Sequence, residues 1–242
     1  MELLERMLEA HGGGQRWRDL HAVMARVSMG GVGLASRLQA SPLQDVEITV
    51  RTAWPTVSMA DWPRPGCMAV CEPNRARIET PDGRVEADRR APGAVLRSPS
   101  HWLWWDELDV LYYTANVLWQ TLSLPFSLAR EGCHVEEQPV MDAPDGRLYP
   151  LAFMLPADIP VLRREQVLYA DATGLAQRLD FSPAFAAPWV RASQTLSGAE
   201  SVSGFTIATR HRIYPCFPGG RMLAVAPLGW IDLDDLTLAW AG

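Results

Sequence analysis

The chain has 242 residues, 48% hydrophobic and 21% charged, which is enough for a sizeable core and unlike a disordered tail, a collagen or a disulfide mini-protein. Every one of the 22 basic residues is arginine, and the formal net charge is −6, which argues against a broad nucleic-acid footprint. Cys67, Cys71, Cys133 and Cys216 are too few for a disulfide framework at this length.

In chain order, residues 2–10 read as a short amphipathic helix. Leu3, Leu4, Met7 and Leu8 share one face, and Glu2, Glu5 and Glu9 lie off it. The acidic residues also fail to make a secretory signal, so the chain reads as cytoplasmic, or as a mature form whose signal was removed. Gly12, Gly13 and Gly14 stop the helix. Strands follow. Val23, Ala25, Val27 and Met29 alternate with polar neighbours over 22–29. Val46, Ile48, Val50, Thr52 and Trp54 do the same over 46–54. Cys67 and Cys71 fall in a strand-like run, where their separation along a strand forbids a bridge or a shared metal; buried free thiols are expected.

Turn signals then divide further strands into hairpins. Pro81-Asp82-Gly83 separates 74–80 from 84–88. Pro144-Asp145-Gly146 separates 134–140 from 147–155. Asp171-Ala172-Thr173-Gly174 separates 165–170 from 175–181. Pro218-Gly219-Gly220 separates 205–214 from 222–225. Serial hairpins imply an antiparallel meander. The last strand, 230–240, shifts its apolar phase between Leu233 and Leu236, which predicts a bulge near Asp234 and Asp235.

Residues 98–132 interrupt this pattern. Asp106 and Asp109 suit a helix start, and Leu111, Ala115, Leu118 and Leu122 recur at helical spacing until Pro125 breaks the run and Gly132 ends it. The expected architecture is one α+β domain over 1–242. A single curved antiparallel sheet, an open half-barrel, wraps a central helical insert at about 98–132 and carries a short N-terminal helix. Residues 110–129 hold no charged side chain. Their Asn, Gln, Ser and Thr content favours a buried helix pair, or a lid over an apolar cavity, over a bilayer span, leaving membrane contact without crossing as the most a membrane reading supports.

Aromatic residues crowd this insert: His101, Trp102, Trp104, Trp105, Tyr112, Tyr113, Trp119 and Phe126. Such rings fill a core, and some can also line a cavity for an apolar ligand. His211 shares the apolar strand face of Phe205, Ile207, Thr209 and Ile213. It fits either a hydrogen-bonded core histidine or a polar anchor inside a cavity. Asp171 opens a turn, where a carboxylate ordinarily serves the backbone. There is no nucleophile elbow, Walker loop or dinucleotide fingerprint, and Asp232, Asp234 and Asp235 lack the rest of a calcium loop. No cofactor or metal is expected. Arg89-Arg90 and Arg163-Arg164 read as solvated pairs.

Three segments resemble proteins related to the periplasmic outer-membrane lipoprotein carrier, the LolA-like superfamily. The opening LEAHGGGQRWRDLHAVMARV is similar to that family's helix, glycines, tryptophan and strand. EQVLYADATGLAQRLDF, with Tyr169, Asp171, Gly174, Leu175, Arg178 and Asp180, resembles its hairpin. TRHRIYP and GWIDLDDLTLA resemble its last two strands. The resemblance implies an open, half-closed antiparallel barrel capped by helices, with an apolar molecule in the concavity. It extends to fold and ligand class only: the carrier has a signal peptide, and the Trp54–Pro65 stretch matches nothing in the family.

The reading that follows is a protein that binds a hydrophobic small molecule between sheet and insert. Trp54, Trp104, Trp105, Tyr112, Tyr113, Trp119, Phe126 and Phe153 would be walls, and Tyr169 and His211 polar contacts. Two alternatives stand beside it. One is a cofactor-independent cyclase or isomerase using His211 or Asp171 as acid or base. The other is a module that docks onto a membrane or a partner.

Overall fold

The computed structural model describes residues 2–37, 43–96, 104–143, 146–159, 161–183, 190–217 and 221–240. The elements run α1 (Glu2–Ala10), α2 (Gly14–Asp19), β1 (Leu20–Gly30), α3 (Val32–Ala35), β2 (Leu43–Arg51), β3 (Val57–Ala60), β4 (Met68–Glu72), β5 (Arg75–Glu79) and β6 (Val85–Arg90). Then come α4 (Pro92–Leu96), α5 (Glu107–Ser123) and a 3-10 turn (Phe126–Ala129). They are followed by β7 (His134–Glu137), β8 (Met141–Ala143), β9 (Gly146–Met154), β10 (Glu165–Ala170), β11 (Ala176–Phe181), β12 (Arg191–Val202), β13 (Phe205–Cys216) and β14 (Gly229–Trp240).

The fourteen strands among the described residues join one open antiparallel sheet. Its order is β6-β5-β4-β3-β2-β1-β14-β13-β12-β11-β10-β9-β7, with β8 on β9 beside β7. Each half is a run of sequence neighbours, the two halves meet where β1 pairs with β14, and the chain passes from the edge strand β6 to the opposite edge strand β7 by way of α4 and α5. The expected α+β antiparallel architecture is therefore present. Period-two alternation sets which face is buried. Val23, Ala25 and Val27 lie beside Val50, Ile48 and Val46, and Val57 and Met59 continue the same face. Cys67 and Cys71 are buried free thiols, and burial pushes Cys71 up to about 12, so it stays an inert thiol.

Helix α5 packs on this face, against β2 to β6. Its start is a capping box: Asp106 accepts from the Asp109 amide, and the Asp109 carboxylate accepts from the Asp106 amide. Arg89 completes the device. Its guanidinium reaches Asp106 at 2.5 Å and Asp109 at 2.8 Å, and Asp109 is 1% exposed. Residues Arg89 and Ala87 pair with Ala76 and Ile78, so Arg89 sits on the inner face of β6. It clamps the helix rather than standing in solvent with Arg90, as the dipeptide suggested.

Other expectations change in detail. Strand β2 stops at Arg51, because the Thr52 hydroxyl turns back onto the Leu20 and His21 carbonyls. Trp54 therefore leaves the sheet for an exposed turn. Residues 222–225 form no strand beyond one bridge, Met222 to Cys216; β13 pairs with β14 instead. The bulge near Asp234 is present: the β1–β14 register shifts between Met24 and Arg26, with Asp235 at φ 54°. Helix α5 begins at Glu107, and the expected insert residues 98–103, like the turn residues Pro144, Asp145 and 218–220, lie outside the described residues. Strands β3, β8 and β12 and the short α2, α3 and α4 are elements that alternation and turn signals do not predict.

Candidate functional site

Helix α5 has a second face. Tyr113, Val117, Gln120 and Thr121 recur three to four residues apart and turn toward strands β10 to β13. Between them lies a cavity of about 250 Å³. Its sheet wall is Gln166, Leu179, Phe181, Gln194 and Ile213, and Leu34, Arg37 and Trp105 close one side. The strand residues all belong to the inner face. In register, Gln166 stands beside Phe181, Leu179 beside Gln194, and Gln194 beside Ile213. The wall is predominantly apolar, with a few polar groups, which is the ordinary make-up of a small-molecule site.

Two of the expected aromatic residues meet here. Trp105 is 1% exposed, and its ring lies 5.0 Å from that of Tyr113. The Arg37 guanidinium covers the Trp105 ring at 5.1 Å. Burial raises the Tyr113 phenol, partly offset by Arg37, so it remains neutral and able to donate. Burial lowers Arg37, with Tyr113 acting in the opposite direction.

The remaining expected wall residues lie elsewhere. Trp119 is buried against β2, and its indole donates to the Arg51 carbonyl at 3.0 Å. Tyr112 is buried, with its hydroxyl against Gly93 of α4, where a side chain would collide with it. Phe126 stacks on Trp17 at 4.2 Å and meets Phe205 edge-on. Trp54 lies under the Arg130 guanidinium at 5.6 Å, and Trp104 is 56% exposed. None of these five lines the cavity. For the four within the insert, spacing says only that they belong to it, not which side of it they take.

Phe153 and Tyr169 border a different, open groove of about 550 Å³ over β9, β10 and β11. Tyr169 points away from α5, because Gln166 and Leu168 take the inner positions of β10. Its hydroxyl donates to Asp180 at 3.1 Å. Asp180 also accepts from Arg178 and Ser193. Burial first, then Asp180, raises the Tyr169 phenol. Tyr169 is thus a strut of the outer face.

His211 is 1% exposed. One ring nitrogen, Nε2, lies 3.0 Å from the Ala208 carbonyl, and Nδ1 lies 3.1 Å from the Gln194 amide nitrogen. These partners require a neutral ring that donates through Nε2 and accepts at Nδ1. Burial pushes its pKa down to about 4, against the Ala208 bond. Gln194, which the sequence reading passed over, stands between the histidine and the cavity. Asp171 is far from this arrangement in role. It accepts from Thr173, Leu175 and Gln177 within its own hairpin, and these bonds outweigh burial to hold it below the ordinary carboxylate range. The histidine whose pKa feels Asp171 is His11, not His211. No acid–base pair joins His211 and Asp171.

Among the described residues no group of histidine, cysteine or acidic side chains could hold a metal, and no helix is long and apolar enough to cross a membrane.

An open antiparallel sheet with a helix against one face is the architecture of the LolA-like fold. Solved structures share it across nearly the whole chain. The LolA superfamily protein NE2245 from Nitrosomonas europaea superposes with a TM-score of 0.56 at 11% identity, covering 98% of this chain and 93% of that one. A Vibrio parahaemolyticus domain assigned to outer-membrane lipoprotein sorting gives 0.56 at 13% identity, covering 98% and 91%. A DUF1329 family protein from Desulfovibrio piger gives 0.54 at 11% identity, covering 98% and 92%. No protein-family model and no curated protein matches the sequence. The chain has the LolA-like fold, at identities that establish the fold alone.

Proposed function

We propose that this protein binds and carries a hydrophobic small molecule in the cavity between α5 and strands β10 to β13. The observation that carries the reading is the cavity itself. An α/β interface of this kind normally closes to crystal-like packing density, and voids in protein interiors are few and small. Here about 250 Å³ stays open against Trp105, Tyr113, Val117, Leu179, Phe181 and Ile213. The name of the Vibrio relative, which refers to lipoprotein sorting, supports an apolar ligand. Trp105 and Tyr113 supply the aromatic walls. The acid–base reading finds no support in His211, both of whose ring nitrogens are engaged.

Val117→Trp is the direct test, because an indole there fills the cavity from the helix side. Purified protein should take up decanol in isothermal titration calorimetry, and the variant should not. Equal uptake by both would place the binding site elsewhere, and no uptake by the parent protein would remove the reading.

A further inference from the structure

One end of the sheet carries a surface that the cavity does not use. Strand β1 begins there, and β2 and β14 end there. Four arginines gather at this end: Arg16 and Arg18 on α2, Arg51 at the end of β2, and Arg130 just after the 3-10 turn. Among the described residues none of the four forms an ion pair. Arg16 donates to the Ser203 and Gly204 carbonyls, Arg18 to the Gln15 side chain, and Arg130 to the Ala53 carbonyl at 2.6 Å. Carbonyl and amide partners hold these guanidinium groups in place without cancelling their charge. By contrast Arg26, Arg75, Arg77, Arg178 and Arg212 each meet a carboxylate within 2.7 Å. Glu9, Asp19 and Glu131 lie close in sequence to the four and pair with none of them, so cations outnumber carboxylates here in a chain of net charge −6.

A second observation is independent of charge. Two large indoles are exposed at the same end. Trp54 is 38% exposed beneath the Arg130 guanidinium, and Trp240 is 45% exposed. Rings run inward from Trp240. It lies 6.1 Å from Phe205, and Phe205 lies 5.7 Å from Phe126. Phe126 stacks on Trp17, and Arg16 covers Phe205 at 5.0 Å. Trp17 and Phe126 also border an open notch of about 380 Å³ that has Arg18 and Arg130 on its rim. The buried rings make a stiff backing for the exposed ones. Exposed tryptophan beside arginine is the make-up of surfaces that meet a bilayer. Indoles settle at headgroup level, and guanidinium groups pair with phosphate through two parallel hydrogen bonds.

We infer that this end of the molecule docks on the surface of an anionic bilayer, with Arg16, Arg18, Arg51 and Arg130 meeting lipid phosphates and Trp54 and Trp240 entering the headgroup layer. The acidity of the whole chain does not oppose this. At physiological ionic strength charges act over about 8 Å, so a bilayer feels the end that touches it. The four arginines come from separate elements at no regular spacing. A fluid layer of phosphates can meet such a set at any spacing, whereas one rigid acidic protein would have to match it. Docking here is independent of ligand binding in the cavity, which lies toward the other end of β1 and β14, beside Leu34 and Leu228.

The test is co-sedimentation of the full chain with two kinds of vesicle, phosphatidylcholine alone and phosphatidylcholine with about a third of the lipid replaced by phosphatidylglycerol. The anionic vesicles should bind at least about tenfold more tightly, and added salt should erase most of that difference. Arg18→Gln combined with Arg130→Gln should lower affinity for them about tenfold. Brominated phosphatidylcholine in the anionic vesicles should quench the tryptophan fluorescence of the parent, and Trp54→Phe with Trp240→Phe should remove most of that quenching. Val117→Trp, which fills the cavity, should sediment as the parent does; loss of sedimentation in that variant would show lipid uptake by the cavity instead and overturn the docking surface. Sedimentation with neither vesicle, or equally with both, would overturn it as well, and so would an affinity unmoved by the arginine changes. The parent protein on the two vesicles decides the main point, so a variant that fails to fold does not weaken the test.

Discussion

Strands β2 to β6 and strands β10 to β13 both turn a face toward α5, but they meet it differently. The first set presents Val57, Met59, Ala69, Cys71, Ala76 and Ile78, all buried, and the helix seats directly on them. The second set presents Gln166, Gln194, Thr209 and His211 among its buried inner residues. These polar groups are tied to one another or to backbone, as Gln194 is to His211 and Thr209 is to the Gly198 carbonyl. A wall braced in this way cannot collapse onto the helix without breaking hydrogen bonds. The dry side fixes the helix; the braced side keeps its distance and leaves room for a ligand.

The largest effect should come from the dry side. Trp119→Ala removes a buried indole and its bond to the Arg51 carbonyl, and should cost about 4 kcal/mol in urea unfolding. Affinity for decanol, measured where the variant is folded, should change little; a selective loss of binding would show that the two sides are not separate. Arg89→Ala leaves the buried Asp109 carboxylate without its guanidinium and should cost about 3 kcal/mol, with the helix start fraying in hydrogen exchange. Asp109→Asn in the same background should recover part of that loss, since the stranded charge is then gone.

The braced side should instead show itself through pH. His211 is neutral in the folded protein down to about pH 4, whereas an unfolded histidine protonates near 6.5. The unfolded chain therefore binds the extra proton first. Stability should fall as pH drops from about 6.5 to about 4 and then level off, by up to about 3 kcal/mol from this residue. His11, also lowered by burial, adds in the same direction. Urea titrations of the parent and His211→Gln, compared at pH 7 and pH 4.5, should show a weaker acid sensitivity in the variant. Smallest in stability is Tyr113→Ala, at about 1 kcal/mol, because its ring already borders open space. Its decanol affinity should fall about tenfold, the reverse of the Trp119 pattern.

Much of the sheet was legible in the sequence because alternation and turn chemistry are local. The hairpin at Asp171–Gly174, the bulge at Asp235 and the Asp106–Asp109 helix start all stand where the residues place them. Strand β12 was not legible: RASQTLSGAESV has no apolar alternation, and it becomes a strand because β11 and β13 flank it. The cavity was half legible. Aromatic density marked the insert, but helix spacing does not say which face meets the dry side, so Tyr112 and Trp119 went to the core and Tyr113 to the wall. Tyr169 could have been placed by parity, since Leu168 is the inner residue beside it. Gln120 and Gln194 carried no signal of their own. Their meaning depends on what surrounds them after folding, as does that of Arg89, whose ion pairs span 17 and 20 residues.

The pairing of β1 with β14 has a consequence for how the molecule is made. Each half of the sheet is a run of local hairpins and can begin to assemble as its own residues emerge. Strand β1, however, offers an open edge beside β2 until residues 229–240 arrive to cover it. Until then, the centre of the finished sheet is a bare template, open to other nascent chains. The bulge in β14 and the Arg26 side chain on β1, held by Asp45, are features of the kind that discourage such misplaced pairing. Chain elongation and the seam of the sheet are thus coupled: β14 is the strand that turns two meanders into one sheet.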